Sequence, residues 1–188
     1  MLGDFNILFV CTGNICRSAT ALQMLDHKLN NNLVILDSAG TYALNSSEMP
    51  PQAKQILDEH HIKTTTHRSK QLTPELLEKS QLVLTATADH KSDVVKTLVK
   101  ANRYTYTLLE FADLIDFVND PGESDFEIEK MPITLEEKLH LISTARGYIN
   151  ANKDRDIPDP FMQHITDYRH VGDLINTATD TIANWIKE

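Results

Sequence analysis

The chain has little cysteine, few aromatic residues and no long apolar run. Only 2 of its 188 residues are cysteines, and 6% are aromatic. Two cysteines cannot form a disulfide framework, and no apolar run approaches the roughly 20 residues that a membrane-spanning helix needs. The start of the chain carries the acidic Asp4 and lacks the basic region of a signal peptide. We therefore expect one cytoplasmic domain that spans residues 1–188.

Basic residues are also scarce relative to acidic ones. The chain has 18 Lys and Arg against 27 Asp and Glu, for a net charge of −9, which argues against nucleic acid as a partner. The excess is concentrated in residues 113–137, which hold nine acids and one base. The apolar content of 41% is that of an ordinary globular protein, so a sizeable core is expected.

Short apolar segments alternate with helical patterns along the chain. The predicted strands are 5–10, 33–37, 82–86 and 104–108. The predicted helices are 18–30, 50–60, 74–79, 89–100, 134–148 and 167–187. This alternation predicts an α/β fold with three layers, α/β/α, around a central four-stranded parallel sheet.

Residues 113–154 interrupt this alternation. The sequence Asp120-Pro121-Gly122 is a turn signal, and Met131-Pro132 breaks any helix there. We interpret the segment as an insertion of one or two helices with an acidic loop. Three roles are open for this loop. It is a solvated and variable surface loop, it selects substrates whose flanking residues are basic, or it binds the tail of a kinase.

The most informative segment is residues 10–18, with the sequence VCTGNICRS. Cys11 ends the first predicted strand, and a helical pattern begins near Ser18. A loop between a strand and a helix N-terminus binds anions and favours the thiolate form of a cysteine. Arg17 can fold over a bound tetrahedral oxyanion, and Asn14 tolerates the left-handed backbone of a tight loop. Ser18 is the expected helix cap and a potential hydrogen-bond partner of the Cys11 sulfur.

This segment resembles the signature loop of the low-molecular-weight protein tyrosine phosphatases. The chain resembles the bacterial members of that family. Further matches are Ser38-Ala39-Gly40, the segment His67 to Leu72 with its His-x-x-x-Gln pattern, and Asp159-Pro160-Phe161. The resemblance covers about residues 5–112 and 155–187 and leaves the insertion unexplained.

The residues and the resemblance together imply a covalent mechanism without a cofactor or metal. Cys11 is expected to attack phosphorus and form a phosphocysteine. Arg17 and the backbone amides of residues 12–17 are expected to hold the phosphoryl oxygens. Asp159 matches the family's Asp-Pro pair and is the predicted acid and base. Asp156 is its rival, and the alternative for either carboxyl is a loop cap.

Other loop residues have predicted supporting roles. The full set of predicted phosphate-binding and loop-supporting residues is Thr12, Gly13, Asn14, Ile15, Cys16, Ser18, Ser38 and His67. Ser38 and His67 are alternatively ordinary turn and surface residues. Ile15 and Phe161 are expected at the substrate rim, although Phe161 is alternatively a core anchor for its loop. Cys16 either traps oxidised Cys11 as a disulfide or is a small buried residue.

Four functions remain open at this point. A protein tyrosine phosphatase is favoured by the apolar Ile15, where arginine phosphatases of the family typically have Thr. A protein-arginine phosphatase is the alternative, because Thr87 stands where many tyrosine phosphatases of the family have Asp. An arsenate reductase needs further cysteines that the chain lacks. A non-catalytic phosphoprotein-binding module has no use for a nucleophile and an acid.

The resemblance also implies the partners. We expect a phosphotyrosine-containing protein as substrate, with a bacterial tyrosine kinase as one candidate. We expect no nucleic acid, no membrane span, and a monomer or weak dimer.

Overall fold

A parallel sheet lies at the centre of the structure, a computed structural model that describes residues 5–29, 34–128, 130–150 and 153–188. Its strands are β1 (Phe5–Cys11), β2 (Val34–Gly40), β3 (Leu82–Thr85) and β4 (Thr105–Thr107). The strand order is β2-β1-β3-β4, and every neighbouring pair is parallel. The central strand β1 therefore delivers Cys11 to the carboxyl edge of the sheet.

Helices cover both faces of this sheet. They are α1 (Arg17–Leu29), α2 (Pro51–Glu59), α3 (Pro74–Lys79), α4 (Ala88–Thr97), α5 (Leu108–Asn119), α6 (Leu135–Ala145) and α7 (Ile165–Lys187). A 3₁₀ segment, Val99–Tyr104, links α4 to β4.

Alternate residues of β1 pack into two separate cores. Ile7 and Phe9 belong to a large cluster with residues of α1, α2, α5 and α7. Leu8 and Val10 belong to a smaller cluster that includes Leu77 of α3 and the neighbouring helix α4. Because successive side chains of a strand point to opposite faces, this division places helices on both sides of the sheet. The predicted three-layer α/β/α fold is confirmed.

Several element boundaries differ from the predicted ones. The helix predicted over 89–100 ends at Thr97, where the 3₁₀ segment takes over. Strand β2 continues beyond the predicted 33–37 as far as Gly40, and residues 30 and 33 of the predicted elements lie outside the described residues. The predicted cap at Thr73 is present, because its side chain accepts a hydrogen bond from the Leu76 amide and Pro74 begins α3.

Helix α5 is the main element that the sequence analysis missed. It begins at Leu108, directly after β4, and runs through position 113, where the predicted insertion starts. Thr107 and Glu110 form a capping box at its start, in which each side chain accepts a hydrogen bond from the other's backbone amide. The proposed boundary at 113 therefore falls inside a helix.

Residues 120–128, which follow α5, are mostly exposed, and Phe126 attaches them to the core. Phe126 is buried, with ring centroids 5.4 Å from Phe117 and 5.1 Å from Tyr148. Glu129 and residues 151 and 152 of the predicted insertion lie outside the described residues. Within the described ranges, no helix is long and apolar enough to cross a membrane.

Candidate active site

The loop between β1 and α1 holds a buried thiol against a serine hydroxyl. Cys11 ends β1 with 2% of its surface exposed, and its Sγ lies 3.1 Å from Ser18 Oγ. Helix α1 begins at Arg17, so Ser18 lies within its first turn. The prediction that Ser18 caps this helix is wrong, because its hydroxyl faces the thiol and the loop. Asn14 has a φ of 55°, the left-handed conformation that the sequence predicted for it.

Asn14 joins the predicted supporting residues into one network. Its Nδ2 donates to Ser18 Oγ at 3.0 Å and to Ser38 Oγ at 2.9 Å. Its Oδ1 accepts from the Lys70 amide, and its carbonyl oxygen lies 2.6 Å from His67 Nε2. Burial lowers the pKa of His67 below 6.5, and the Asn14 carbonyl acts in the opposite direction. A neutral His67 with hydrogen on Nε2 fits this contact.

Gly40 allows β2 to approach the loop closely. A Cβ at this position would lie 2.4 Å from the Thr12 carbonyl oxygen, so the backbone contact excludes any side chain. The Thr41 amide donates to the Cys11 carbonyl at 2.9 Å. Gln71 Nε2 in turn donates to the Thr41 carbonyl at 2.8 Å. Strand β2 and the segment containing Gln71 thus support the loop from one side.

Arg17, the first residue of α1, lines the same cavity as Cys11 and is 5% exposed. Its Nη1 donates to the Ile157 carbonyl at 3.1 Å, and its Nη2 donates to Asp159 Oδ2 at 2.7 Å and to Thr12 Oγ1 at 3.2 Å. Its buried Nε has no hydrogen-bond partner among the described residues. A buried, unpartnered N–H on a cationic group is suited to an anionic ligand.

The two candidate acids have different partners. Asp159 is half-exposed and bonded to Arg17, and it lines the same cavity as Cys11. Asp156 Oδ1 instead accepts from the backbone amide of Ala88, the first residue of α4, at 2.7 Å. Asp156 therefore satisfies a helix N-terminus, whereas Asp159 borders the thiol cavity.

The cavity above the thiol has a volume of about 240 Å³ and an apolar rim. Ile15 and Phe161 both line it, with 47% of Phe161 exposed. Two further rim residues, Tyr42 and Leu44, are 74% and 80% exposed and were missed by the sequence analysis. The available signal was a pair of large apolar side chains in the turn that follows the Ser-Ala-Gly segment.

Cys16 is buried, and it lines the same cavity as Cys11. Its Sγ is 3.9 Å from the Tyr168 hydroxyl, and burial raises its pKa to about 12. The thiol of Cys16 is therefore in its neutral form at pH 7. Across the part of the chain that the structure describes, no group of three His, Cys, Asp or Glu residues could hold a metal ion.

A buried thiol and a buried guanidinium at one strand end are the chemistry of the cysteine-dependent phosphatases. Comparison with known sequences agrees with this class. The profile of the low molecular weight phosphotyrosine protein phosphatases matches residues 6–130. The chain belongs to this family, and it is a phosphatase.

Some of the similar proteins are named as arginine phosphatases and others as tyrosine phosphatases. A protein-arginine-phosphatase of Geobacillus stearothermophilus is 36% identical over 72% of this chain and 96% of that protein. The low molecular weight protein-tyrosine-phosphatase PtpB of Staphylococcus aureus is 32% identical over 76% of this chain and 98% of that protein. The solved YwlE arginine phosphatase from Geobacillus stearothermophilus superposes with a TM-score of 0.72 at 31% identity, covering 97% of this chain and 93% of that one.

Proposed function

We propose that this chain hydrolyses phosphotyrosine in proteins through a phosphocysteine intermediate. The observation that carries the proposal is one cavity that contains the Cys11 thiol, the Arg17 guanidinium and the Asp159 carboxyl. Among the described residues, the Arg17 Nε–H has no hydrogen-bond partner, so a phosphoryl oxygen in the cavity could accept from it. The loop amides of residues 12–17 would hold the remaining equatorial oxygens.

The reaction would proceed in two displacements. In the first, Cys11 Sγ forms a bond to phosphorus while the bond to the tyrosine oxygen breaks, and Asp159 gives its proton to that leaving oxygen. In the second, a water attacks phosphorus, Asp159 takes the water's proton, and the sulfur leaves as a thiolate. Ser18 Oγ, at 3.1 Å from the sulfur, would stabilise this thiolate by a hydrogen bond.

The shape of the cavity favours an aryl phosphate. Ile15 offers an apolar wall, and Phe161 and Tyr42 offer exposed rings at the rim on which a phenyl group can stack. A guanidinium group would have to lose part of its hydration beside these apolar side chains. We propose a tyrosine-phosphorylated protein, such as a bacterial tyrosine kinase, as substrate, and a monomer or weak dimer as the active form.

A second candidate is a protein-arginine phosphatase, the name carried by a relative that is 36% identical and by a similar solved structure. Its chemistry would use the same thiol and guanidinium. The difference between the two functions therefore rests on the cavity wall, above all on Ile15, where a hydroxyl would suit a polar guanidinium.

Two peptides of one sequence, carrying phosphotyrosine or phosphoarginine, separate these candidates. We expect a kcat/KM ratio of at least about tenfold in favour of phosphotyrosine, since an apolar contact of this size contributes about 1–3 kcal/mol. Ile15→Thr should move the ratio toward phosphoarginine, whereas the matched control Ile15→Val should leave it unchanged. A wild-type preference for phosphoarginine would contradict the tyrosine assignment.

A further inference from the structure

Thr12 connects the phosphate loop to a histidine of helix α4. Its Oγ1 lies 2.8 Å from His90 Nε2 and accepts from Arg17 Nη2 at 3.2 Å. The other ring nitrogen of His90, Nδ1, lies 2.7 Å from Thr87 Oγ1. His90 is buried, with 7% of its surface exposed, so both nitrogens are committed to these two hydroxyls.

The number of hydrogens in this network limits its arrangements. An arginine only donates, so Thr12 Oγ1 is already an acceptor for Arg17. Thr87 Oγ1 caps α4 and accepts from the His90 backbone amide at 3.3 Å. A neutral imidazole has a single N–H, so one of the two threonines donates to the ring and the other accepts from it.

The two tautomers leave a free hydroxyl hydrogen in different places. With hydrogen on Nδ1, the Thr12 hydroxyl donates its hydrogen to His90 Nε2. Thr87 then accepts from Nδ1, and its own hydroxyl hydrogen is unused. With hydrogen on Nε2, Thr87 donates to Nδ1, Thr12 accepts from both His90 and Arg17, and the Thr12 hydrogen is free. Thr12 lines the thiol cavity, so a dianion bound there favours the second tautomer through a charge-assisted hydrogen bond.

From this arrangement we propose that His90 is a positioning residue for phosphoryl binding. Its Nε2–H occupies a lone pair of Thr12 Oγ1 and thereby turns the Thr12 hydroxyl hydrogen onto an oxygen of the bound phosphoryl group. Thr12 touches the substrate, and His90 acts through it. This inference rests on the proposed function, because it assumes that the cavity binds a phosphoryl dianion.

The surroundings of His90 keep the ring neutral, as the network requires. Burial lowers its pKa below 6.5, and the nearby Arg17 charge lowers it further. The carboxylates of Asp93, Asp159 and Asp156 act in the opposite direction with smaller effect. A neutral ring at pH 7 keeps one nitrogen as acceptor for Thr87 while the other donates to Thr12.

The chain offers a pair of variants that separate the two ring nitrogens. The side-chain amide of His90→Gln reaches the position of Nε2 and keeps a donor for Thr12. The shorter amide of His90→Asn reaches only the position of Nδ1, so it can bond Thr87 and not Thr12. Thr12→Val removes the hydroxyl at nearly constant volume, and Thr12→Ser keeps it.

The readout is the inhibition constant of inorganic phosphate against an aryl phosphate substrate, with thermal unfolding as a check on folding. We expect Thr12→Val and His90→Asn each to weaken phosphate binding about tenfold, the loss of one charge-assisted hydrogen bond. His90→Gln and Thr12→Ser should rescue binding to within about threefold of wild type. The double variant with Thr12→Val and His90→Asn should be no worse than Thr12→Val, because both remove the same interaction.

A general structural role for His90 would give another pattern. The losses of phosphate affinity in His90→Asn and Thr12→Val would then add in the double variant. His90→Gln would also weaken phosphate binding as much as His90→Asn does. Either result overturns the inference. If His90→Asn does not fold, an unchanged phosphate inhibition constant in Thr12→Val still overturns it. A wild-type chain that binds no phosphate would instead defeat the proposed function itself.

Discussion

At the scale of single residues, Asp159 and Asp156 show how position decides the role of a carboxyl. The two aspartates are three positions apart in the segment before α7, but Asp159 bonds the Arg17 guanidinium and Asp156 bonds the Ala88 amide. The identity of Asp159 as the better candidate could be predicted from the Asp-Pro pair. A capping role was the stated alternative for Asp156, but its partner could not be predicted, because Ala88 is 68 positions away in the sequence.

This difference predicts separate pH–rate profiles for two matched variants. Asp159→Asn keeps a hydrogen-bonding side chain and removes the proton donor, so kcat on an aryl phosphate should fall about 10²–10⁴-fold and the basic limb should disappear. Asp156→Asn keeps an oxygen acceptor for the Ala88 amide and should retain the basic limb. Loss of that limb in the Asp156 variant alone would reverse the assignment.

The loop network was partly predictable at this scale. The left-handed backbone at Asn14 and the contact of Ser18 with the thiol follow from residue types within nine positions of each other. The contact between Thr12 and His90 joins residues 78 positions apart, so only the folded sheet brings it into view. Contacts within the loop could therefore be predicted from the sequence, whereas contacts between the loop and distant segments depend on tertiary packing.

At the scale of elements, helix α5 contacts the acidic segment through the ring of Phe126. The helix was missed because its residues follow β4 without a glycine or proline, although the Thr107 and Glu110 capping box was a readable start signal. The segment was interpreted as an insertion of one or two helices with an acidic loop. Helix α6 is one of these helices, and Phe126 in the loop contacts two other aromatic rings. A single buried ring in a charged segment gives no periodic signal that predicts its packing.

Removal of the Phe126 ring should therefore destabilise the protein. We expect Phe126→Ala to lower the free energy of unfolding by about 3 kcal/mol, the usual cost of deleting a buried aromatic side chain. The control Met131→Ala changes a side chain that is 73% exposed, and it should shift stability by less than about 0.5 kcal/mol. Urea unfolding measures both. Equal effects of the two substitutions would show that the aromatic cluster does not form in solution.

At the scale of the whole molecule, His67 makes stability depend on pH. The pKa of His67 is lower in the folded chain than the ordinary value of 6.5 that applies in the unfolded chain. At a pH between the folded and unfolded pKa, the unfolded chain therefore binds more protons. Stability should thus fall as the pH drops from about 7 toward 5, by at most about 1.4 kcal/mol per pH unit for this residue. His67→Gln keeps a donor for the Asn14 carbonyl and cannot titrate in this range.

The comparison of the two proteins isolates this contribution. As the pH falls from about 7 toward 5, the wild-type protein should lose more stability than His67→Gln does. Thermal unfolding of both proteins at several pH values measures this difference. A constant difference between the two proteins from pH 7 to 5 would mean that His67 titrates equally in the folded and unfolded chains.

The most direct test of the mechanism locates the phosphoryl group during turnover. Acid quenching of the chain with an aryl phosphate, followed by mass spectrometry of its peptides, should find phosphate on Cys11. The adduct should accumulate in Asp159→Asn, in which the second displacement lacks its base, and Cys11→Ser should bind phosphate without turnover. A phosphoryl group on any other side chain, or turnover by Cys11→Ser near the wild-type rate, would contradict the account.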